Sequence, residues 1–75
     1  MATFYSTLSK AIWHAKRDRK AKLENGFYVY FREGVGFYVI DAWDVALIKA
    51  VVKPNDKMVA SGCYDWNKWS VECYE

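Results

Sequence analysis

The sequence predicts an α+β domain: one long N-terminal amphipathic helix packed on an antiparallel sheet of about four strands, with a second short helix as an option at 42–52. Three observations carry that expectation. Apolar residues recur at helical spacing from Phe4 to about Lys22. Two runs rich in aromatic and β-branched residues flank Glu33-Gly34-Val35-Gly36. Near the end, Trp69, Val71 and Cys73 alternate with Ser70, Glu72 and Tyr74. These periods of about 3.6 and 2 are those of a helix and of a strand with one buried face. The 75 residues make a single domain, 1–75. A domain of this size buries only about 60% of the surface its unfolded chain exposes. Efficient packing has to compensate, and four Trp, six Tyr and four Phe are present to supply it.

In the N-terminal segment Phe4, Leu8, Ala11, Ile12 and Ala15 fall on one side of a helix. Ala, Leu, Lys and Arg dominate it, which is good helix composition. Asn25-Gly26 supplies the stop, since both residues tolerate the left-handed backbone that ends helices. The aromatic runs, Gly26 to Arg32 and Phe37 to Asp41, read as a β-hairpin. With a loop of two or four residues, Arg32 faces Phe37, Tyr30 faces Val39 and Tyr28 faces Asp41. One face then carries Phe27, Val29, Phe31, Tyr38 and Ile40 and is expected to be core. The other carries Tyr28, Tyr30, Arg32, Phe37, Val39 and Asp41.

Asp41 to Lys53 admits two readings. Trp43, Ala46, Leu47, Ala50 and Val51 fit a short helix capped by Asp41 and ended before Pro54. Val45, Ile48, Val51 and Val52 are β-branched, and Pro54-Asn55-Asp56 suits a turn closing a hairpin onto Lys57 to Ala60. The helix is preferred. Met58 to Tyr74 reads as two strands around Trp66-Asn67-Lys68.

Charge is polarised along the chain. Lys10, Lys16, Arg17, Arg19, Lys20 and Lys22 stand against Asp18 alone in the first stretch, while acids outnumber bases in the remainder; the whole chain carries +2. On the predicted helix Trp13 lies about 140° from the centre of the apolar stripe, counting about 100° per residue. Lys10, Lys16, Arg17 and Lys20 surround it. A tryptophan ringed by cations can anchor an acidic protein surface, because Trp and Arg dominate interface hot spots. It can also stack on a nucleobase while the cations hold phosphates. A second candidate surface is the outer sheet face, where Tyr28, Tyr30 and Phe37 stand beside Arg32. Aromatic sheet faces of this chemistry stack single-stranded bases, although in a small domain such a face is more often covered by another element or a second subunit. Tyr64, Trp66, Trp69 and Tyr74 crowd the last hairpin, where cross-strand aromatic pairing is the ordinary role and projection of Trp66 into a partner the alternative.

No catalytic residues are expected. His14 is the one histidine and no nucleophile is placed near it by sequence. Asp41 and Asp44 are better explained as a helix cap and a first-turn acid than as a carboxylate pair. Gly34-Val35-Gly36 joins two strands and does not open a helix, so it is not a phosphate loop. No cofactor, metal or small-molecule substrate is implied. Cys63 and Cys73 lack metal-ligand spacing and are expected as reduced thiols, a bridge being open to them only if they meet on paired strands. Met-Ala-Thr-Phe-Tyr-Ser lacks the features of a secretory signal and no apolar run approaches a membrane span, so a cytoplasmic protein is expected.

The sequence therefore points to a non-enzymatic protein-interaction module: a small adaptor, an inhibitor, or a chain that binds itself as a homo-oligomer. Nucleic-acid binding through the same helix is the alternative. The sequence pI of 8.6 lies below the value of about 9 expected of a dedicated nucleic-acid domain, which favours a protein partner.

Overall fold

The computed structural model describes residues 3–17, 26–65 and 67–74. Among them are two helices, α1 (Leu8–Arg17) and α2 (Val45–Val51), and four strands: β1 (Phe27–Arg32), β2 (Gly36–Asp41), β3 (Lys57–Asp65) and β4 (Lys68–Cys73). The strands form one antiparallel sheet in the order β2-β1-β3-β4. No helix of the described residues is long and apolar enough to cross a membrane.

The α+β architecture is the expected one, but α1 is shorter than the apolar period suggested. It begins at Leu8, after Thr7, whose hydroxyl accepts the Lys10 N–H at 3.1 Å. Tyr5 is not helical. It pairs with the outer edge of β2, donating its N–H to Phe37 O at 2.7 Å and accepting the Phe37 N–H at 2.9 Å. The backbone of a residue so engaged is unavailable for helical bonding. Residues 18–25, including the expected stop at Asn25, lie outside the described residues.

The hairpin register differs by one residue from expectation. Arg32 pairs with Gly36, so the loop is Glu33-Gly34-Val35, three residues long. Val35 donates its N–H to Arg32 O at 3.1 Å, and Gly34 has φ +81°, the positive value a type II turn requires at its third residue. The slip exchanges the two sides of β2. Phe37, Val39 and Asp41 join Phe27, Val29 and Phe31 on one face, and Tyr38 and Ile40 join Tyr28, Tyr30 and Arg32 on the other.

α1 covers the first face. Ala11 and Ala15, one turn apart and essentially without exposed surface, lie flat against Phe27, Val29 and Ala60, and Leu8, Ile12, Phe37, Val39, Trp69 and Val71 close around them. The small side chains let the helix approach the sheet closely. α2 lies on the second face, over the β2 side, where Tyr38 and Ile40 are buried and Arg32 donates to Val51 O. The segment 42–52 is thus helical. Its cap is Asp44, which accepts the Leu47 N–H at 2.9 Å, and not Asp41, which is the last residue of β2. The final hairpin forms as read, and Asn67 takes φ +69° in its turn. Cys63 pairs with Ser70 and Cys73 with Ala60, which sets the two free thiols on opposite faces of the sheet and rules out a bridge.

Candidate interaction surface

Burying Ala11 and Ala15 turns the opposite side of α1 to solvent. Trp13 stands there with 55% of its surface exposed, and Lys10, Lys16 and Arg17 are exposed around it. α1 contains no acidic residue. The indole is held in place on two sides. The Arg17 guanidinium, one turn on, lies 4.7 Å from the ring centre. The His14 ring meets the indole edge-on at 4.9 Å and is itself stacked on Tyr5, 4.7 Å away at 18°. Because Tyr5 is fixed to β2 by two backbone hydrogen bonds, the ladder Tyr5–His14–Trp13–Arg17 ties the exposed indole to the sheet. Lys10 reaches back to the Ser6 hydroxyl at 3.4 Å. Lys20, the fifth residue expected on this surface, lies outside the described residues.

The outer sheet face does not assemble as expected. Phe37 points to the α1 side, against Phe31 at 4.8 Å, while Tyr28, Tyr30 and Arg32 point to the other. Arg32 is already engaged. Its Nε donates to Asp56 Oδ1 at 3.0 Å, its Nη2 to Asp56 Oδ2 at 2.8 Å, and Nη2 also to Val51 O at 3.0 Å. Phe4 and Tyr38 bracket the guanidinium with ring centres 5.3 and 5.2 Å away. Asp56 further accepts the Tyr38 hydroxyl at 2.6 Å and the Lys53 N–H at 3.0 Å. These hydrogen bonds, those from Arg32 foremost, hold the Asp56 carboxyl well below the usual carboxylate range. Burial, and then the bond to Asp56, push the Tyr38 hydroxyl well above its ordinary value. Asp56 thus ties the α2–β3 turn to the hairpin, and Arg32 belongs to that brace. Tyr30 stacks on Tyr38 at 5.7 Å, which leaves Tyr28 as the member of the set that faces an opening. This is an open groove of about 600 Å³ with Ala42, Ser61, Cys63, Ser70 and Glu72 on its walls.

In the last hairpin Trp69 packs edge-on against Phe27 at 5.3 Å and against Tyr64 at 5.1 Å, the structural role expected of it. Tyr74 closes a hydrogen bond with Ser61 at 2.7 Å, and Trp66 lies outside the described residues. One exposed patch was not singled out by sequence. Trp43, just before α2, and Val45 and Leu47 in its first turn are 43%, 58% and 40% exposed. The signal for it was present, because a helix of seven residues that are all apolar except Lys49 cannot bury every side against one sheet edge. No family model, curated protein or solved structure matches the chain.

Proposed function

We propose that this chain is a non-enzymatic binding protein that recognises an acidic surface on a partner protein through the outer face of α1. Trp13 is the anchor, and Lys10, Lys16 and Arg17 are the surrounding cations. The observation that carries this reading is the ladder that fixes a 55% exposed indole between Arg17 and His14. A large side chain fixed before contact loses little rotamer freedom on binding, which is the property of a hot-spot anchor. Cations at its rim steer an acidic partner and raise the association rate. Arg17 lies over one face of the indole, which disfavours that face for base stacking and favours the protein reading over nucleic acid.

The test is a photo-crosslinking residue at position 9, exposed one turn before Trp13 and leaving the anchor intact, in the full chain, with position 33 on the distant hairpin turn as control, applied in lysate of the source cell. Binding of the protein captured only from position 9 is then measured against wild type and variants. Trp13→Ala is expected to weaken it by about 2 kcal/mol or more, and Lys16→Ala with Arg17→Ala to slow association with a marked salt dependence. A full-strength complex with Trp13→Ala overturns the proposal. Binding of a random single-stranded oligonucleotide that falls steeply with salt and depends on the same residues replaces it with the nucleic-acid reading.

A further inference from the structure

The two edges of the sheet are treated differently. At β2 the edge is closed at Phe37 by the paired backbone of Tyr5, which lies so near that a Cβ on Gly36 would stand 2.7 Å from Tyr5 O. At the other edge, the only element packed extensively on β4 among the described residues is β3. Tyr74 donates its N–H to Val59 O at 2.7 Å, in register with the pairs from Ala60↔Cys73 to Asp65↔Lys68. In an antiparallel ladder the backbone groups of successive residues point to alternate sides. Those of Lys68, Ser70 and Glu72 therefore turn toward β3, and those of Trp69, Val71 and Cys73 turn outward. Such an edge accepts a further strand.

The sequence of the edge selects the strand. Two identical antiparallel strands related by a two-fold axis normal to the sheet must place one residue opposite itself. With Ser70 opposite Ser70, Lys68 faces Glu72 of the second copy and Trp69 faces its Val71, and each pair occurs twice. Oppositely charged and aromatic–β-branched pairs are the ones that stabilise adjacent strands. The outward backbone groups of Trp69 and Val71 are the ones this register bonds. Placing Trp69 opposite itself sets Lys68 against Ser70, and placing Val71 opposite itself sets Lys68 against Tyr74. Both alternatives leave Glu72 without a facing cation. The side chains match by layer too. Trp69 and Val71 lie on the α1 side beside the buried Phe27, so the pairing continues the apolar layer across the axis.

We infer that two copies of this chain associate through β4, antiparallel with Ser70 at the two-fold axis, into a continuous sheet with four strands from each copy. The axis keeps both α1 helices on one side of that sheet. The inference stands apart from the α1 contact, and its failure leaves that proposal untouched.

Sedimentation of the full chain over a wide concentration range tests it, with circular dichroism to show that each variant is folded. Wild type is expected to pass from monomer to dimer. Lys68→Glu and Glu72→Lys each replace two opposite-charge pairs with two like-charge pairs and are expected to raise the dissociation constant roughly 10- to 100-fold. An equimolar mixture of the two variants is expected to associate again, because each introduced charge then meets its opposite on the other variant. A wild type that stays monomeric, single variants that dimerise as wild type does, or a mixture that fails to recover each overturns the inference. The register has its own test in Ser70→Cys, with Cys63→Ser and Cys73→Ser to remove competing thiols. Facing residues of a non-hydrogen-bonded antiparallel pair have Cα atoms about 4.5 Å apart, within disulfide reach. Glutathione disulfide is expected to oxidise the two new thiols to one bridge between copies and to be reduced to two glutathione thiols. A dimer that does not cross-link refutes this register.

Discussion

Gly62→Ala tests how the sheet is packed. Gly62 pairs with Phe27 across β1 and β3, and the Phe27 ring lies over the bare glycine. A Cβ at position 62 would stand 2.3 Å from Phe27 Cε2 and 2.4 Å from its Cζ. That is more than about 1 Å inside ordinary carbon–carbon contact. The ring has little room to give, since Phe27 has no exposed surface and Trp69 packs edge-on against it at 5.3 Å. Overpacking of a tight core costs about 1–3 kcal/mol, and an overlap with a fully buried ring belongs in the upper half of that range. Total stability for a domain of this length is about 4–11 kcal/mol, so the loss is substantial. Thermal unfolding followed by circular dichroism is expected to show a midpoint lower by roughly 10–20 °C, compared at one protein concentration because association would shift it. The decisive comparison is with Phe27→Leu, which leaves a cavity when made alone, and with the double variant. The smaller side chain accommodates the new methyl, so the double variant should be at least about 1 kcal/mol more stable than the summed single losses imply. A Gly62→Ala change within about 0.5 kcal/mol of wild type, or strict additivity, would show that this contact does not set the packing.

The remaining predictions concern the brace, the cap and the anchor. Asp56 is stabilised as the carboxylate in the folded state, so its contribution is complete above its unfolded pKa of about 4 and is lost as pH falls toward its lower folded value. Asp56→Asn should be less stable than wild type at neutral pH and show a flatter acid limb in a stability–pH curve. Tyr38 has the opposite sign: its raised folded value means a contribution present below about pH 10 and lost as pH rises beyond it, so Tyr38→Phe should flatten the alkaline limb. Asp44→Ala removes the bond to the Leu47 N–H and should cost α2 about 1 kcal/mol. Since α2 buries no residue completely, the loss should appear in hydrogen exchange as roughly fivefold faster exchange of α2 amides with β1 unchanged. Trp13→Ala should cost about 1 kcal/mol or less of stability, the worth of its exposed contacts with Arg17 and His14; a loss of about 2 kcal/mol or more in unfolding experiments would show that the indole serves the fold.

What the sequence made legible was local. The inner and outer sides of α1 are both written within ten residues, so Ala11 and Ala15 against the sheet and Trp13 away from it follow from the period alone. The alternation through β4 placed Trp69 and Val71 inward for the same reason. The hairpin failed at its turn. Glu33-Gly34-Val35-Gly36 fits loops of two, three or four residues, and only the odd length puts Phe37 beside Phe31. That one residue dissolved the expected platform of Tyr28, Tyr30, Arg32 and Phe37.

Arg32 shows why the rest was out of reach. Its exposure depends on Asp56, 24 residues away and on the far side of α2, and no local period connects them. Before the chain folds, Arg32 resembles Lys16 or Arg17: a cation beside aromatic residues. The difference is that Arg32 has a carboxylate, a carbonyl and two rings to satisfy it, whereas the described part of α1 offers its cations no acid at all. A satisfied guanidinium gains little from a partner and would have to give up its own bonds first. Cations on a helix without acids keep their attraction for an outside carboxylate. On that ground the α1 surface is the better of the two sequence candidates, and loss of binding on charge reversal there, with none from Arg32→Lys in a folded variant, is the pattern that would uphold it.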